Sequence, residues 1–325
     1  MKKVMLTAGL LLLWTALLSG AATVEINEWR VPWDGTRPRD PDLDANGRVW
    51  FVGQAGNYVA VLDPRNGQFK RYELEAGVGP HNLVVDERGV WYAGNHSSHI
   101  GKLDPDTGRI TKYSMPDPAA RDPHTLVFDR NGDIWFTQQV SNFVGKLDTR
   151  SGAVRLIKVP TDWARPYGIV IDALNRPWFN EFGVSKIGVV DPATMQIKEY
   201  PLPNGARSRR IAVTSDRAVW YVDYARGFLG RLNPETGQVR EWQMPGGARS
   251  QPYAMAADDR DRLWLVETGS QPNRLVGFDP KSEQFFSVTE IKSGGGAVRH
   301  MVFHKPSRAI WFGTDMNTIG RAVVP

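Results

Sequence analysis

Seven residues able to donate hydrogen bonds or move protons recur along this chain at nearly even spacing: Arg39, His81, His124, Tyr167, Arg209, Tyr253 and His300. Most follow a proline and precede a short apolar run, as in Pro80-His81-Asn82-Leu83 and Pro123-His124-Thr125-Leu126. In the last repeat Arg299 competes for the place, because one extra residue precedes Trp311. Histidine and tyrosine can serve as general bases, and arginine can hold developing negative charge. A second series runs Gly53, Gly94, Gln138, Glu181, Asp223, Glu267 and, one step later, Asp315, so carboxylates fill four consecutive repeats. If both series open on one face, the carboxylates can orient a base, hold a hard divalent cation through oxygen ligands, or pair with the Arg and Tyr side chains. In a plainer account the first series caps backbone groups where strands begin.

The elements that must position these residues are set by a repeat. Trp50, Trp91, Trp135, Trp178, Trp220, Trp264 and Trp311 follow one another at intervals of 41 to 47 residues. The unit from Asp122 to Pro160 parses into four short strands: Thr125–Phe128, Ile134–Thr137 after an Asn131-Gly132 turn, Phe143–Leu147, and an alternating outer strand Val154–Val159. Four antiparallel strands per repeat, without helical periodicity, predict an all-β, seven-bladed β-propeller with four-stranded blades. The last repeat lacks a fourth strand, and Val24–Pro32 resembles the outer strands of other repeats. The N-terminal strand is therefore expected to complete the final blade and remove an open edge. In a propeller the innermost strands line the central channel, so the first series should ring one mouth.

Asp86, Asp129, Asp172 and Asp258, each five residues after a ring position, fit turns into the second strand, and Asp63, Asp104, Asp148, Asp191 and Asp279 fit the outer hairpins. His96 and His99 fall in a Ser-rich turn and are expected at the surface. The cluster Arg207-Ser208-Arg209-Arg210 is the one local concentration of basic charge.

Lys2 and Lys3 precede an apolar run from Val4 to Leu18 and the small residues Ser19-Gly20-Ala21-Ala22. This pattern predicts a secretory signal peptide over residues 1–22, a propeller over residues 23–325, and a periplasmic or secreted location. The apolar run is too short for a membrane span, so none is expected after cleavage. With no cysteine there is neither disulfide nor thiol chemistry. A formal charge of +5, about +3 without Lys2 and Lys3, and no long basic run argue against nucleic acid. Nucleophile elbows, P-loops, dinucleotide fingerprints, HExxH and CxxC motifs are all missing.

The Pro-His-x-apolar start, the Trp-Phe pair and the return strands Ile100-Gly101-Lys102-Leu103 and Leu229-Gly230-Arg231-Leu232 resemble the virginiamycin B lyase (streptogramin lyase) family, across all seven repeats. The resemblance implies a seven-bladed propeller that opens a cyclic depsipeptide by elimination with Mg2+. It places the general base on His300, one metal-binding Glu on Val298, a second on Asp315, and a substrate-binding His on Tyr253. Val298 cannot ligate, so Mg2+ would depend on Asp315, with Glu267 as a possible completing ligand. Arg299 and Arg39 are candidates for the charge a metal would supply, and His81, His124, Tyr167 and Arg209 for further substrate contacts. Two functions follow. One is an exported lyase acting on a lactone-type small molecule at the channel mouth. The other is a non-catalytic, monomeric propeller that binds a small ligand or a protein partner there.

Overall fold

Each repeat forms one four-stranded antiparallel sheet, and the computed structural model, which describes residues 22–325, contains seven of them. The leader expected over residues 1–22 lies outside the described residues except for Ala22. Blades 1 to 6 begin with the innermost strands Pro38–Leu43, Pro80–Asp86, Pro123–Phe128, Pro166–Ile171, Ser208–Val213 and Pro252–Ala257. Blade 7 takes Met301–His304, Ala309–Gly313 and Thr318–Val323 from the end of the chain and Glu25–Arg30 from its beginning. The expected closure is present: Glu25 lies opposite Val323 and Arg30 opposite Thr318. In the third blade the strands are Pro123–Phe128, Ile134–Gln138, Phe143–Leu147 and Val154–Lys158, within two residues of the expected bounds. No helix among the described residues is long and apolar enough to cross a membrane.

The seven periodic tryptophans are each at most 2% exposed and fill the spaces between blades. Trp91, for example, packs with Leu126 and Phe136 of the next sheet. Six of the seven indole N–H groups find an acceptor at the turn five or six residues earlier. Trp135 Nε1 donates to Asp129 Oδ2 at 3.2 Å and Trp178 Nε1 to Asp172 Oδ2 at 2.9 Å, while Thr214 replaces the acid for Trp220. The same carboxylates close the turns, since Asp129 Oδ1 also accepts from the amides of Asn131 and Asp133. Trp311 Nε1 has no partner, as His304 stands where the other repeats carry the acid or Thr214.

The glycine of the return motif has a steric reason. A Cβ on Gly145 would fall inside the ring of Phe136, and Gly101, Gly188 and Gly230 stand in the same relation to Tyr92, Phe179 and Tyr221. The aromatic partner of each tryptophan thus lies flat on the neighbouring strand. His99 departs from its expected surface position: it is 4% exposed, its ring edge-on to Tyr92 at 5.8 Å.

Candidate functional site at the channel mouth

The innermost strands of blades 1 to 6 all carry a pairing irregularity near their start, between Pro80 and Leu83 in blade 2 and between Pro123 and Leu126 in blade 3, for example. Such an irregularity breaks the alternation of side chains and re-aims them. Here it places both the ring residue and the one after it, such as His81 and Asn82, among the buried polar groups of the channel.

The register fixes the ring itself. In every blade the residue opposite the periodic tryptophan lies three after the ring position: Val84 faces Trp91, Val127 faces Trp135 and Ala256 faces Trp264. In blade 7 Val302 faces Trp311, so the equivalent residue is Arg299. The mouth level therefore consists of Arg39, His81, His124, Tyr167, Arg209, Tyr253 and Arg299. His300 belongs one level deeper, with Asp40, Asn82, Thr125, Gly168, Arg210 and Ala254.

On one side of the mouth four rings form an arc. The His81 and His124 rings are 3.6 Å apart between centroids, and His124 is 4.2 Å from Tyr167. Tyr167 and Tyr253 share a short hydrogen bond between their hydroxyls, and the Tyr253 oxygen also accepts from Arg209 Nη1 at 2.8 Å. The Arg209 guanidinium stacks on Phe182, Tyr224 and Tyr253 at 4.2, 4.1 and 4.4 Å. On the other side Arg39 donates to Asp40 Oδ1 at 3.1 Å and Gln54 Oε1 at 2.8 Å, and its Nη2 has no partner although the residue is only 5% exposed. Arg299 pairs with Asp315, which Arg37 also approaches at 3.7 Å.

The deeper level is a plug. Arg210 donates to the Arg299 carbonyl at 2.8 Å, to Thr125 Oγ1 at 3.1 Å and to Asp40 Oδ2 at 3.3 Å, linking blade 5 to blades 7, 3 and 1. Below it, on the opposite side of the propeller, lies a cavity of about 480 Å³ walled by residues such as Leu83, Leu126, Ile169 and Met255.

These neighbours set the protonation states. Burial, with Arg39 and Arg210 next in weight, holds His81 neutral well below the usual histidine range. His124 is held down by burial and by His81. Burial and then Arg210 push His300 down to about 3. Burial and the neighbouring Tyr253 raise the Tyr167 phenol. Burial opposes ionisation of Tyr253 too, but Arg209, Arg39 and the Tyr167 hydrogen bond outweigh it and hold this phenol below its ordinary value.

The carboxylate series is mostly engaged elsewhere. Asp223 Oδ2 accepts from Arg226 Nε at 2.5 Å, and Glu267 pairs with Arg274 and accepts from the Gly246 amide at 2.6 Å. Glu181 is fully buried without a partner for either oxygen, and burial, then Glu199, lift it to about 8. Only Asp315 touches a ring residue. Val298 is fully buried in an apolar cluster with Ala254, Met301 and Phe312. Among the described residues no three His, Cys, Asp or Glu side chains converge on one point. A carboxylate already matched by Arg299 and Arg37, with a valine at the second position, does not fit a divalent cation, which needs several free oxygen ligands.

No protein-family model and no curated protein sequence matches this chain. Solved structures do. Virginiamycin B lyase from Staphylococcus aureus superposes with a TM-score of 0.83 at 23% identity, over 93% of this chain and 99% of that one. A streptogramin B lyase gives 0.80 at 27% identity, over 92% and 97%. The fold is that of the virginiamycin B lyases. The same comparison reaches Kuenenia stuttgartiensis hydrazine synthase, with a TM-score of 0.75 at 13% identity over 90% of this chain and 97% of that one, so the lyase fold alone fixes no chemistry.

Three elements of this mouth escaped the sequence reading: the Asp40–Arg210 plug, the Phe182–Tyr224 wall around Arg209, and Trp163. Arg210 stood within the basic cluster at 207–210, and Trp163 breaks the tryptophan period. Both were visible signals without a local partner to interpret them.

Proposed function

We propose that the protein is an exported lyase-type propeller that removes a proton next to a carbonyl of a lactone-type small molecule at this mouth. The reading is carried by the convergence of Arg39, Arg209 and Arg299 with the Tyr167–Tyr253 pair on one level of the channel. Elimination of this kind needs a placed base and a sink for the charge of the enolate. Tyr253, favoured as phenolate by Arg209 and Tyr167, is the base. His300, at about 3 and one level deeper, is too weak a base for the task. The Tyr253 oxygen takes the α-proton, and the C–H electron pair becomes an enolate held by Arg39 and Arg299. Its collapse forms the C=C bond and breaks the C–O bond to the leaving carboxylate, after which Tyr253 returns its proton to water. Guanidinium groups take the place of a metal, in keeping with Val298 and the paired Asp315. Export is supported by the basic-then-apolar N-terminus.

The test is incubation of the mature chain with a panel of lactones and cyclic depsipeptides, following the ultraviolet absorbance of the conjugated product and its mass. An unsaturated product of unchanged total mass supports elimination. A product heavier by one water shows hydrolysis and refutes it. A second reading, a propeller that binds without turnover, is favoured by the low exposure of His124 and Tyr253, 2% and 5%. Saturable binding with no product would select it.

A further inference from the structure

Beside the ring, between blades 4 and 5, a cleft of about 550 Å³ opens on the same face. That volume lies within the range of small-molecule sites. Its walls are Trp163, Phe182 and Tyr224, and Arg165, Arg207 and Gln251 stand around them. Phe182 and Tyr224 are also the rings on which Arg209 stacks, so the cleft shares two walls with the arginine that donates to Tyr253.

Two observations set this cleft apart. Trp163 is 74% exposed, in a chain whose seven periodic tryptophans are all buried, and its backbone is left-handed with φ 59°. A bulky residue seldom adopts that conformation unless its surroundings hold it there. Second, the charge is one-sided. Arg165, Arg207 and Arg209 have no carboxylate partner among the described residues, and no acid lines the cleft. The Arg209 Nε is buried without a hydrogen bond. Elsewhere on this face arginines are matched, as Arg226 is by Asp223 and Glu241 and Arg274 by Glu267. Unmatched guanidinium groups beside aromatic faces suit a ligand with a flat or ring-shaped apolar side and an anionic head.

We propose that this cleft binds a small ring-bearing carboxylate, its ring on the Trp163–Phe182–Tyr224 surface and its carboxylate on Arg165 and Arg207. The site deepens the lyase reading by giving the substrate an anionic handle next to Tyr253. Its occupancy, however, does not depend on turnover. The handle acts by position: fixing the carboxylate holds the neighbouring part of the molecule over the mouth.

The test is a binding titration of the mature chain, by tryptophan fluorescence and thermal shift, with benzoate, galacturonate and their neutral methyl esters at constant ionic strength. Benzoate and galacturonate separate an aromatic acid from a sugar acid as the preferred ring. At least one acid should bind saturably and about tenfold more tightly than its ester, a difference of about 1.4 kcal/mol. R165Q and R207Q should each weaken it by about tenfold. W163A should remove the fluorescence change and weaken binding, and because Trp163 and Arg165 are exposed these variants retain the fold. Equal affinity for acid and ester, an R165Q/R207Q double variant that binds like the parent, or no saturable binding of either acid would overturn the proposal. A failed lactone assay would leave these outcomes untouched.

Discussion

Arg210 of blade 5 and Asp40 of blade 1 meet across the channel axis, Nη2 to Oδ2 at 3.3 Å, with side chains 3% and 0% exposed. Asp40 also accepts from Arg39 and from Asn82 Nδ2 at 3.1 Å. Burial would raise the Asp40 carboxyl, but Arg39 and Arg210 reverse that and hold it far below the usual range. The pair is thus an ionised brace between blades that are not neighbours.

Removing one partner of a buried pair leaves the other charge uncompensated, so R210A should lower unfolding stability by about 3 kcal/mol. D40N/R210A should lose less than the sum of the single variants. A urea double-mutant cycle that is additive to within about 0.5 kcal/mol would show that the two groups do not interact.

Acid should destabilise the fold through its histidines. His81, His124 and His300 are depressed in the folded state, His300 to about 3. The unfolded chain therefore binds protons first, once pH falls below about 6.5. Their contribution is complete above that value and is lost as pH drops from there towards each folded value, by up to about 1.4 kcal/mol per pH unit for each histidine. Asp42, raised by burial to about 6, works in the opposite direction at pH values between its unfolded value and 6. Glu181, raised to about 8, also opposes them across this range. The clean reading is therefore in E181Q, whose urea midpoints at pH 7.5, 6.5 and 5.5 should fall in that order; a flat series there would contradict the buried neutral imidazoles.

Glu181 gives the reverse slope. Raised to about 8, it is protonated in the folded protein at neutral pH while the unfolded chain is ionised. Its stability contribution is lost as pH rises from about 4.5 through 8. E181Q keeps the shape without the ionisation, so its advantage over the parent should grow with pH and exceed about 1 kcal/mol by pH 9. Equal stability at pH 6 and pH 9 would mean that water reaches the carboxyl.

Tyr253 should titrate below an ordinary phenol, because Arg209 and Arg39 favour its phenolate. An ultraviolet pH titration should show one early phenolate step that Y253F removes and R209Q moves upward. In the lyase reading, activity rises with pH as this group ionises, and Y253F lowers kcat by about 100-fold or more. A Y253F titration curve that overlays the parent would remove Tyr253 as the base.

Divalent cations should not stabilise the protein. A ligand that binds only the folded state raises its melting temperature. Millimolar Mg2+, Mn2+ or Ca2+ should leave Tm unchanged, and D315N should be no more sensitive. A rise with Mg2+ that D315N abolishes would reinstate the metal at Asp315 and displace the arginine sink.

What the sequence determined by itself was everything encoded within one repeat. The tryptophan period, the Asp turns, the return-strand glycines and the borrowed strand at Val24–Pro32 are local patterns, because a blade buries its faces against neighbours built from the same pattern. The identity of six ring positions followed from the same spacing. Tertiary structure decided what the ring does. The inserted residue in the last repeat left Arg299 and His300 equivalent on paper, and only the pairing of Val302 with Trp311 put Arg299 at the mouth. The Arg210–Asp40 contact spans 170 residues and the Tyr167–Tyr253 contact 86. Such groups converge because the innermost strands point at one axis, and no periodicity along the chain encodes which side chain crosses that axis to which partner. Burial then set the electrostatics: histidines that a sequence offers as bases are held neutral, while a tyrosine among arginines is held below its ordinary value.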